Sequence, residues 1–267
     1  MKKTIGHSIR SFPPSRLFTM DVGRLGMRRH HVKALLEIDV TEPRRKIRSI
    51  RSQPGARISF TAWILKCIGT ALNEHPQVHA TRKGRKKLVV FDSVDISILV
   101  EKEVDGVPAP LPLVLRDVAN RSVSDIFDEI EAAKRKIVRD GSDYVLDRNR
   151  NNRYLGLYAM LPRFIRLLAW RIMLRNPYRV KKMMGTAVVT SLGMMGKFEG
   201  WIMPYSIHPV CFALGSIVKK PGVVNDAIAV REYLKMTVPV DHDVADGAPA
   251  ARFASRLADL IERGHAL

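Results

Sequence analysis

The sequence predicts an α/β (α+β) protein built around a mixed β-sheet. Segments with the pattern of strands alternate along the chain with segments that have the pattern of helices. The chain has 267 residues, of which 46% are hydrophobic and 27% charged, and it shows no internal repeat or low-complexity linker. These values are typical of a soluble globular protein with a full core. We therefore expect a single domain spanning residues 1–267.

The predicted strands are rich in Val and Ile or alternate between apolar and polar residues. Branched side chains pack well on a pleated surface, and successive side chains of a strand face opposite sides. The segment at 87–101 has room for one or two strands, and the basic stretch at 44–57 contains a turn at Pro54-Gly55. The strand segments are 30–41, 87–101, 110–118, 186–192, 209–218 and 227–240.

The predicted helices are marked by their end signals. A buried helix begins after Ser59, whose hydroxyl can accept from the first free amides, and it ends before Pro76. A second helix begins at the capping-box pattern Ser122-x-x-Asp125 and runs from acidic to basic residues. A third covers 247–264, where a glycine provides the stop. Its apolar face contains Phe253, Leu257, Leu260 and Ile261.

The net charge of +19 predicts attraction to polyanions such as anionic lipid, phosphate-bearing molecules or nucleic acid. More than half of this charge lies in residues 134–182, which hold 14 Lys/Arg and 3 Asp. A solvated basic surface explains the same composition. Nucleic acid is an unlikely partner, because the sequence has no RNP-type motif, zinc finger or Arg/Gly/aromatic repeat.

The two cysteines, Cys67 and Cys211, lie far apart within apolar runs. They predict buried structural thiols in a reducing compartment, and we expect a cytoplasmic protein. There is no CxxC pair or Cys/His cluster with zinc spacing, so we expect no metal. The N-terminus starts basic but lacks an apolar core segment, which argues against a signal peptide.

The last eighty residues contain the most specific pattern. GTAVVTSLGMMGKF (185–198), HPVCFALGSIVKKPGVV (208–224) and LKMTVPVDHDVADGAPAARFASRLADLIE (234–262) follow one another in that order. Together they resemble the catalytic domain of the 2-oxo acid dehydrogenase E2 acyltransferases, relatives of chloramphenicol acetyltransferase. Upstream segments match in the same order, so the resemblance covers roughly residues 25–138 and 183–263. It implies a chloramphenicol acetyltransferase-like two-layer sandwich with a mixed β-sheet.

The resemblance also implies the chemistry and the site. His242 would be the general base that deprotonates a thiol, hydroxyl or amine acceptor, while the acyl group arrives as a thioester, with CoA as the expected substrate. Asp246 would fix the loop through an ion pair with an arginine that the sequence does not identify. Thr190 would donate to the oxyanion, with Ser191 as the alternative. The family implies a homotrimer or a larger assembly of trimers, with His242 and Thr190 contributed by neighbouring chains.

The sequence departs from the family pattern in two places near this site. Asp243 stands where the family carries arginine, and a carboxylate close to His242 would favour the imidazolium. If Asp243 points away from His242, as the alternation of side chains suggests, this effect is small. No lipoyl domain precedes the catalytic region, so we expect no covalent lipoyl group. The acyl group would then arrive on CoA, an acyl-carrier protein or the lipoyl arm of another protein.

A basic, helical insertion is predicted at about 140–183, with a helix after Pro162. Its arginines argue against a transmembrane span, and three alternatives remain for 154–182: packing on the trimer, a lid over the acyl substrate, or contact with a membrane surface or partner protein. The apolar stripe of this helix is predicted to contain Leu161, Ile165, Leu168, Ala169, Ile172 and Met173.

The insertion also leaves a second function open. The chain could be a catalytically altered trimeric scaffold that binds a partner complex or an anionic membrane.

Overall fold

A computed structural model of the chain describes residues 14–104, 107–135, 158, 160–191 and 199–267. Helices and strands alternate within these ranges. The strands are β1 (His31–Asp39), β2 (Thr81–Lys83), β3 (Lys87–Val89), β4 (Ile96–Val104), β5 (Val107–Leu115), β6 (Ala187–Ser191), β7 (Val210–Val224) and β8 (Ala227–Asp241). The helices are α1 (Pro14–Gly26), α2 (Thr41–Arg51), α3 (Phe60–Glu74), α4 (Val123–Arg135), α5 (Arg163–Leu174), α6 (Pro177–Met184) and α7 (Gly247–Glu262).

The main sheet is mixed, as predicted. Its strand order is β1-β8-β7-β6-β4-β5, with β4, β6 and β7 parallel and the other neighbours antiparallel. Strands β2 and β3 form a separate antiparallel hairpin, which we call the β2–β3 hairpin. The long strands β7 and β8 pair along most of their length, and β8 ends beside the start of β1. The residue that follows β8 is His242, so the sheet places the predicted base at this corner.

Helices α3, α4 and α7 pack against one face of the sheet and form the main core with it. The largest fully buried side chains include Trp63 from α3, Phe212 from β7 and Phe253 from α7. Burial of such aromatic side chains supplies about 1.5–3 kcal/mol each relative to leaving them exposed. The layer of helices on a mixed sheet is the two-layer arrangement that the sequence predicts.

The predicted helix starts are confirmed at the level of single hydrogen bonds. Ser59 Oγ accepts from the Ala62 amide at 3.1 Å. Ser122 Oγ accepts from the Asp125 amide at 3.1 Å, and the Asp125 carboxylate accepts from the Ser122 amide at 3.3 Å, which completes the capping box. At the other end of the chain, Gly264 takes a positive φ of 66° after α7, a conformation that glycine adopts without strain.

Helix α2 was not predicted, because the basic stretch was interpreted from its turn at Pro54-Gly55. The helix begins where Asp39 Oδ1 accepts from both the amide and the hydroxyl of Thr41, at 2.9 and 2.6 Å. Few apolar residues mark its buried side, among them Ile47. A helix with so narrow an apolar face gives little hydrophobic periodicity in the sequence.

The helix predicted after Pro162 exists as α5, and most of its predicted apolar stripe is exposed. Arg166 and Trp170 are the buried side chains of α5, whereas Leu168 and Ile172 are more than half exposed. Arg166 Nε donates to the fully buried carboxylate of Asp21 on α1 at 2.7 Å. Burial alone would raise the pKa of Asp21, but hydrogen bonds from Arg166 and Tyr158 hold that pKa below its ordinary value.

Both cysteines are buried free thiols, as predicted. Burial raises the pKa of Cys67 and of Cys211 to about 12, so neither is a reactive thiolate near neutral pH. Within the ranges that the structure describes, no helix combines the length and the apolar character needed to cross a bilayer.

Two buried histidines make stability depend on pH. Burial lowers the pKa of His79 and of His208 to about 4, whereas an unfolded histidine has a pKa near 6.5. Their stabilising effect is therefore complete above about pH 6.5 and is lost as pH falls towards 4. We expect the free energy of unfolding to be lower at pH 5 than at pH 7 by about 2 kcal/mol for each histidine, measured by urea denaturation. His79→Leu should roughly halve the difference, and equal stability at both pH values would contradict the assignment.

Candidate active site

His242 lies in the turn that follows β8, and its side chain is exposed. Its backbone amide donates to the carbonyl of His30 at 2.9 Å, which continues the pairing of β8 with β1. The imidazole makes no hydrogen bond to any residue in the described ranges. The predicted base is thus held by its backbone, while both ring nitrogens stay accessible to a substrate.

The turn is fixed by Asp241, which is fully buried. Arg29 Nη1 donates to Asp241 Oδ2 at 2.8 Å, and Asp241 Oδ1 accepts from the amide of Asp243 at 3.2 Å. The Asp241 carbonyl accepts from the amides of Val244 and Ala245 at 2.9 and 3.1 Å. One buried residue therefore organises the whole turn around His242. Arg29 was not singled out from the sequence, because it lies more than 200 positions from its partner.

Asp246 occupies the N-cap position of α7, with an exposed side chain that makes no capping hydrogen bond. No Lys, Arg or His among the described residues forms an ion pair with it. The arginine–aspartate pair that we expected at Asp246 is found instead at Asp241, five positions earlier. A loop-fixing role for Asp246 stays a prediction.

Asp243 is held by two basic side chains. His30 Nδ1 lies 3.0 Å from Asp243 Oδ1, and Arg82 Nη1 donates to Asp243 Oδ2 at 2.9 Å. The hydrogen bond from His30 keeps the pKa of Asp243 below its ordinary value, and the same contact raises the pKa of His30. The carboxylate that replaces the family's arginine is thereby neutralised by His30 and Arg82. It links the His242 turn to the β2–β3 hairpin.

A basic cleft of about 410 Å³ opens between the His242 turn and the β2–β3 hairpin. Four cationic side chains and a single carboxylate line it, so its potential is positive and suits phosphate groups. The lining residues are Arg82, Arg85, Lys86, Lys87, Leu88 and Asp243.

The predicted oxyanion donors lie on β6, two strands away from β8 in the sheet. Thr190 of β6 is paired with Ala213 of β7, which is paired in turn with Thr237 of β8. Because His242 lies five residues beyond Thr237, strand geometry puts Thr190 and His242 roughly 15–20 Å apart in one chain. Ser191 ends β6, still further along, and the LGM turn at 192–198 lies outside the described residues. A single chain does not bring the base and the donors together.

Four other histidines differ from His242 in burial or in their contacts. His79 and His208 are buried, and His31 Nε2 lies 3.0 Å from the carbonyl of His208. His30, just before β1, is exposed and contacts Asp243 at the surface of the His242 turn. Within the described ranges, no group of three His, Cys, Asp or Glu side chains is arranged to hold a metal ion.

The sequence is similar to those of known acyltransferase components of 2-oxo acid dehydrogenase complexes. The lipoamide acyltransferase component of the branched-chain alpha-keto acid dehydrogenase complex of Bacillus subtilis (strain 168) is 25% identical over 237 residues. The match covers 87% of this chain and 46% of that relative, so this chain spans about half the length of the relative.

Solved structures have the same fold. A probable dihydrolipoamide acetyltransferase from Listeria monocytogenes 4b F2365 matches with a TM-score of 0.69 and 19% identity, over 98% of this chain and 97% of that chain. A chloramphenicol acetyltransferase matches with a TM-score of 0.50 and 13% identity, over 96% and 98% of the two chains. These similarities confirm the predicted chloramphenicol acetyltransferase-like fold.

A family model described as 2-oxoacid dehydrogenases acyltransferase (catalytic domain) matches residues 28–142 and 178–267. The second segment contains the His242 turn, and the first contains Arg29 and the β2–β3 hairpin that contact it. Residues 143–177, which include α5, lie outside the match. Since the matched segments make up more than half of the sequence, the chain belongs to the family of 2-oxoacid dehydrogenase acyltransferase catalytic domains.

Proposed function

We propose that this chain transfers an acyl group between a thioester carrier, CoA in the first place, and a thiol, hydroxyl or amine acceptor. The observation that carries the proposal is the His242 turn itself. The partly exposed Arg29 pairs with the buried Asp241 and so fixes the turn, and the exposed imidazole of His242 lies beside a basic cleft. The chain belongs to an acyltransferase family. A neutral imidazole at such a position can accept a proton near neutral pH.

The proposed reaction is a direct transfer. His242 takes the proton of the acceptor, and the acceptor attacks the thioester carbonyl to give a tetrahedral oxyanion. The hydroxyl of Thr190, or alternatively that of Ser191, donates to this oxyanion. When the intermediate collapses, the carbon–sulfur bond breaks and the departing thiolate takes the proton from the His242 imidazolium. No covalent bond to the enzyme is needed.

A second copy of the chain would complete this site, because Thr190 and His242 lie roughly 15–20 Å apart within one chain. Self-association is supported by the tip of the β7–β8 hairpin, where Val223, Ile228 and Val230 are largely exposed although they are apolar. We propose a homotrimer, in which His242 of one copy meets Thr190 of its neighbour. Larger assemblies of trimers are compatible with the same contact.

The basic cleft supports CoA as the carrier. Its lining includes Arg85, Lys86 and Lys87, which form no ion pair with any described residue, so their charge is available to phosphates. CoA carries three phosphate groups close to its thiol arm, whereas an acyl-pantetheine carries none. Comparing these two donors therefore isolates the contribution of the cleft.

The test is an assay of thiol release with matched acyl-CoA and acyl-pantetheine donors. For acyl-CoA, Arg85→Ala with Lys86→Ala is expected to raise KM roughly tenfold at low salt while kcat is retained. For acyl-pantetheine the same variant should behave as the wild type. The control, Lys46→Ala with Arg51→Ala on α2, removes the same charge from a remote exposed surface. Absence of thiol release from every donor would reject acyl transfer and favour the scaffold role.

A further inference from the structure

The outward face of α5 is apolar. Four large side chains recur at intervals of four residues from the turn before the helix to its last turn, which places them in one stripe. A soluble helix usually turns such a stripe towards the core. Here the exposed fractions are 83% for Met160, 71% for Phe164, 54% for Leu168 and 53% for Ile172.

This orientation is fixed by the inward face. Arg166 is buried and bound to Asp21, while Trp170 Nε1 donates to the hydroxyl of Tyr158 at 3.0 Å. The ring of Phe18 on α1 packs against Trp170 with centroids 5.1 Å apart. Rotating α5 to bury its stripe would leave the Asp21 carboxylate buried without its guanidinium, at a large cost. The exposed stripe is therefore a stable feature of the fold.

Arginines surround the stripe. A cleft of about 300 Å³ between α1 and α5 combines four guanidinium groups with apolar side chains. Arg28, Arg163 and Arg171 form no ion pair with any described residue, and residues 158–184 contain seven Lys/Arg but no Asp or Glu. The cleft is lined by Arg24, Leu25, Met27, Arg28, Arg163, Leu167 and Arg171.

We propose that α5 docks on the surface of an anionic lipid bilayer. The stripe from Met160 to Ile172 would enter the boundary between headgroups and acyl chains, and the cleft of arginines would take a lipid phosphate. Basic residues next to an apolar helix face are the combination that binds anionic interfaces, with each Lys or Arg near the surface contributing to affinity. Helix α5 lies within residues 143–177, which the family match does not include.

A bilayer fits the charges better than a protein does. A second copy covering this face would have to supply acidic side chains from another part of its surface, because residues 158–184 contain none. Arginine is also common in protein–protein interfaces, but a bilayer presents phosphates along its whole surface, and these can meet all four guanidinium groups of the cleft at once. Membrane docking does not depend on the proposed acyl transfer, because none of these residues belongs to the His242 turn.

The test is flotation of the full chain with vesicles of phosphatidylcholine alone or mixed with phosphatidylglycerol, at low and high salt. The wild type should float with the anionic vesicles and remain free with the neutral ones, and high salt should weaken binding. Arg163→Glu with Arg171→Glu should lower binding at least about tenfold, and so should Phe164→Ser with Leu168→Ser.

The matched control is Lys46→Glu with Arg51→Glu, which makes the same change of charge on α2 and should bind within about twofold of the wild type. Equal binding to neutral and anionic vesicles would overturn the proposal, and so would an equal loss in the control. A fall in oligomeric size for the Phe164/Leu168 variant, measured by analytical ultracentrifugation, would show instead that another copy covers the stripe.

Discussion

Replacing His242 with alanine is expected to lower the rate of acyl transfer by about 10²–10⁴-fold, the usual contribution of a positioned general base. The loss should fall on kcat, because the imidazole acts on the proton that moves in the transition state. The fold should survive, since the side chain is exposed and the turn is held by the His242 amide and by Asp241. Thiol release from acyl-CoA measures the loss, and far-UV circular dichroism with size-exclusion chromatography checks the fold.

A mixing experiment shows where the second half of the site lies. Thr190→Val keeps the shape of the side chain but removes its hydroxyl, and this variant should also be nearly inactive. When the His242→Ala and Thr190→Val chains are refolded together, a site shared between copies regains about one quarter of the wild-type activity, because random assembly pairs two intact residues in that fraction. A site within one chain regains no activity in this mixture.

Wild-type turnover by the His242→Ala variant alone would contradict the assignment of His242 as the base.

The elements that the sequence predicted are those whose signals are local. Ser59 and the pair Ser122–Asp125 form capping hydrogen bonds within three residues of each other, so a short pattern contains all the partners. The motif around His242 is equally compact, and the alternating strands gave most of the sheet. Such features can be predicted because the residues that form them are close together in the sequence.

The features that were missed depend on partners far away in the chain. The pair of Arg29 and Asp241 joins residues 212 positions apart, and Arg82 reaches Asp243 across 161 positions. The burial of Arg166 was missed because a helical wheel treats every arginine as a surface residue. Arg166 is buried only because Asp21, on another helix, supplies a buried carboxylate.

The surroundings of Asp243 also depend on residues far away in the chain. From the sequence, Asp243 was expected to favour the imidazolium of the proposed base only if its carboxylate pointed towards His242. In the structure, the carboxylate is shared between His30 and Arg82, which balance its charge and tie the turn to the β2–β3 hairpin. The same hairpin lines the basic cleft. Asp243 therefore joins the turn that carries His242 to the surface that we propose binds the carrier.

Replacing Arg29 with alanine is expected to destabilise the protein by about 3–5 kcal/mol, because it leaves the fully buried Asp241 carboxylate without a counter-charge. Its matched control is Arg45→Ala. The Arg45–Glu42 pair has the same 2.8 Å separation but is solvent-exposed, so its loss should cost about 1 kcal/mol or less. Urea denaturation compares the two directly. An equal, small loss in both would show that the Arg29–Asp241 pair does not hold the turn.

The same pair should also control activity, because Asp241 organises the turn that carries His242. Adding Asp241→Asn to Arg29→Ala removes the unpaired buried charge and keeps an acceptor for the Asp243 amide, so much of the lost stability should return. Turnover should recover less than stability, since the amide lacks the ion pair that ties the turn to the segment before β1. If the double variant instead regained full activity together with stability, Arg29 would contribute only to folding. A folded but slow double variant would establish the Arg29–Asp241 pair as the group that positions the base.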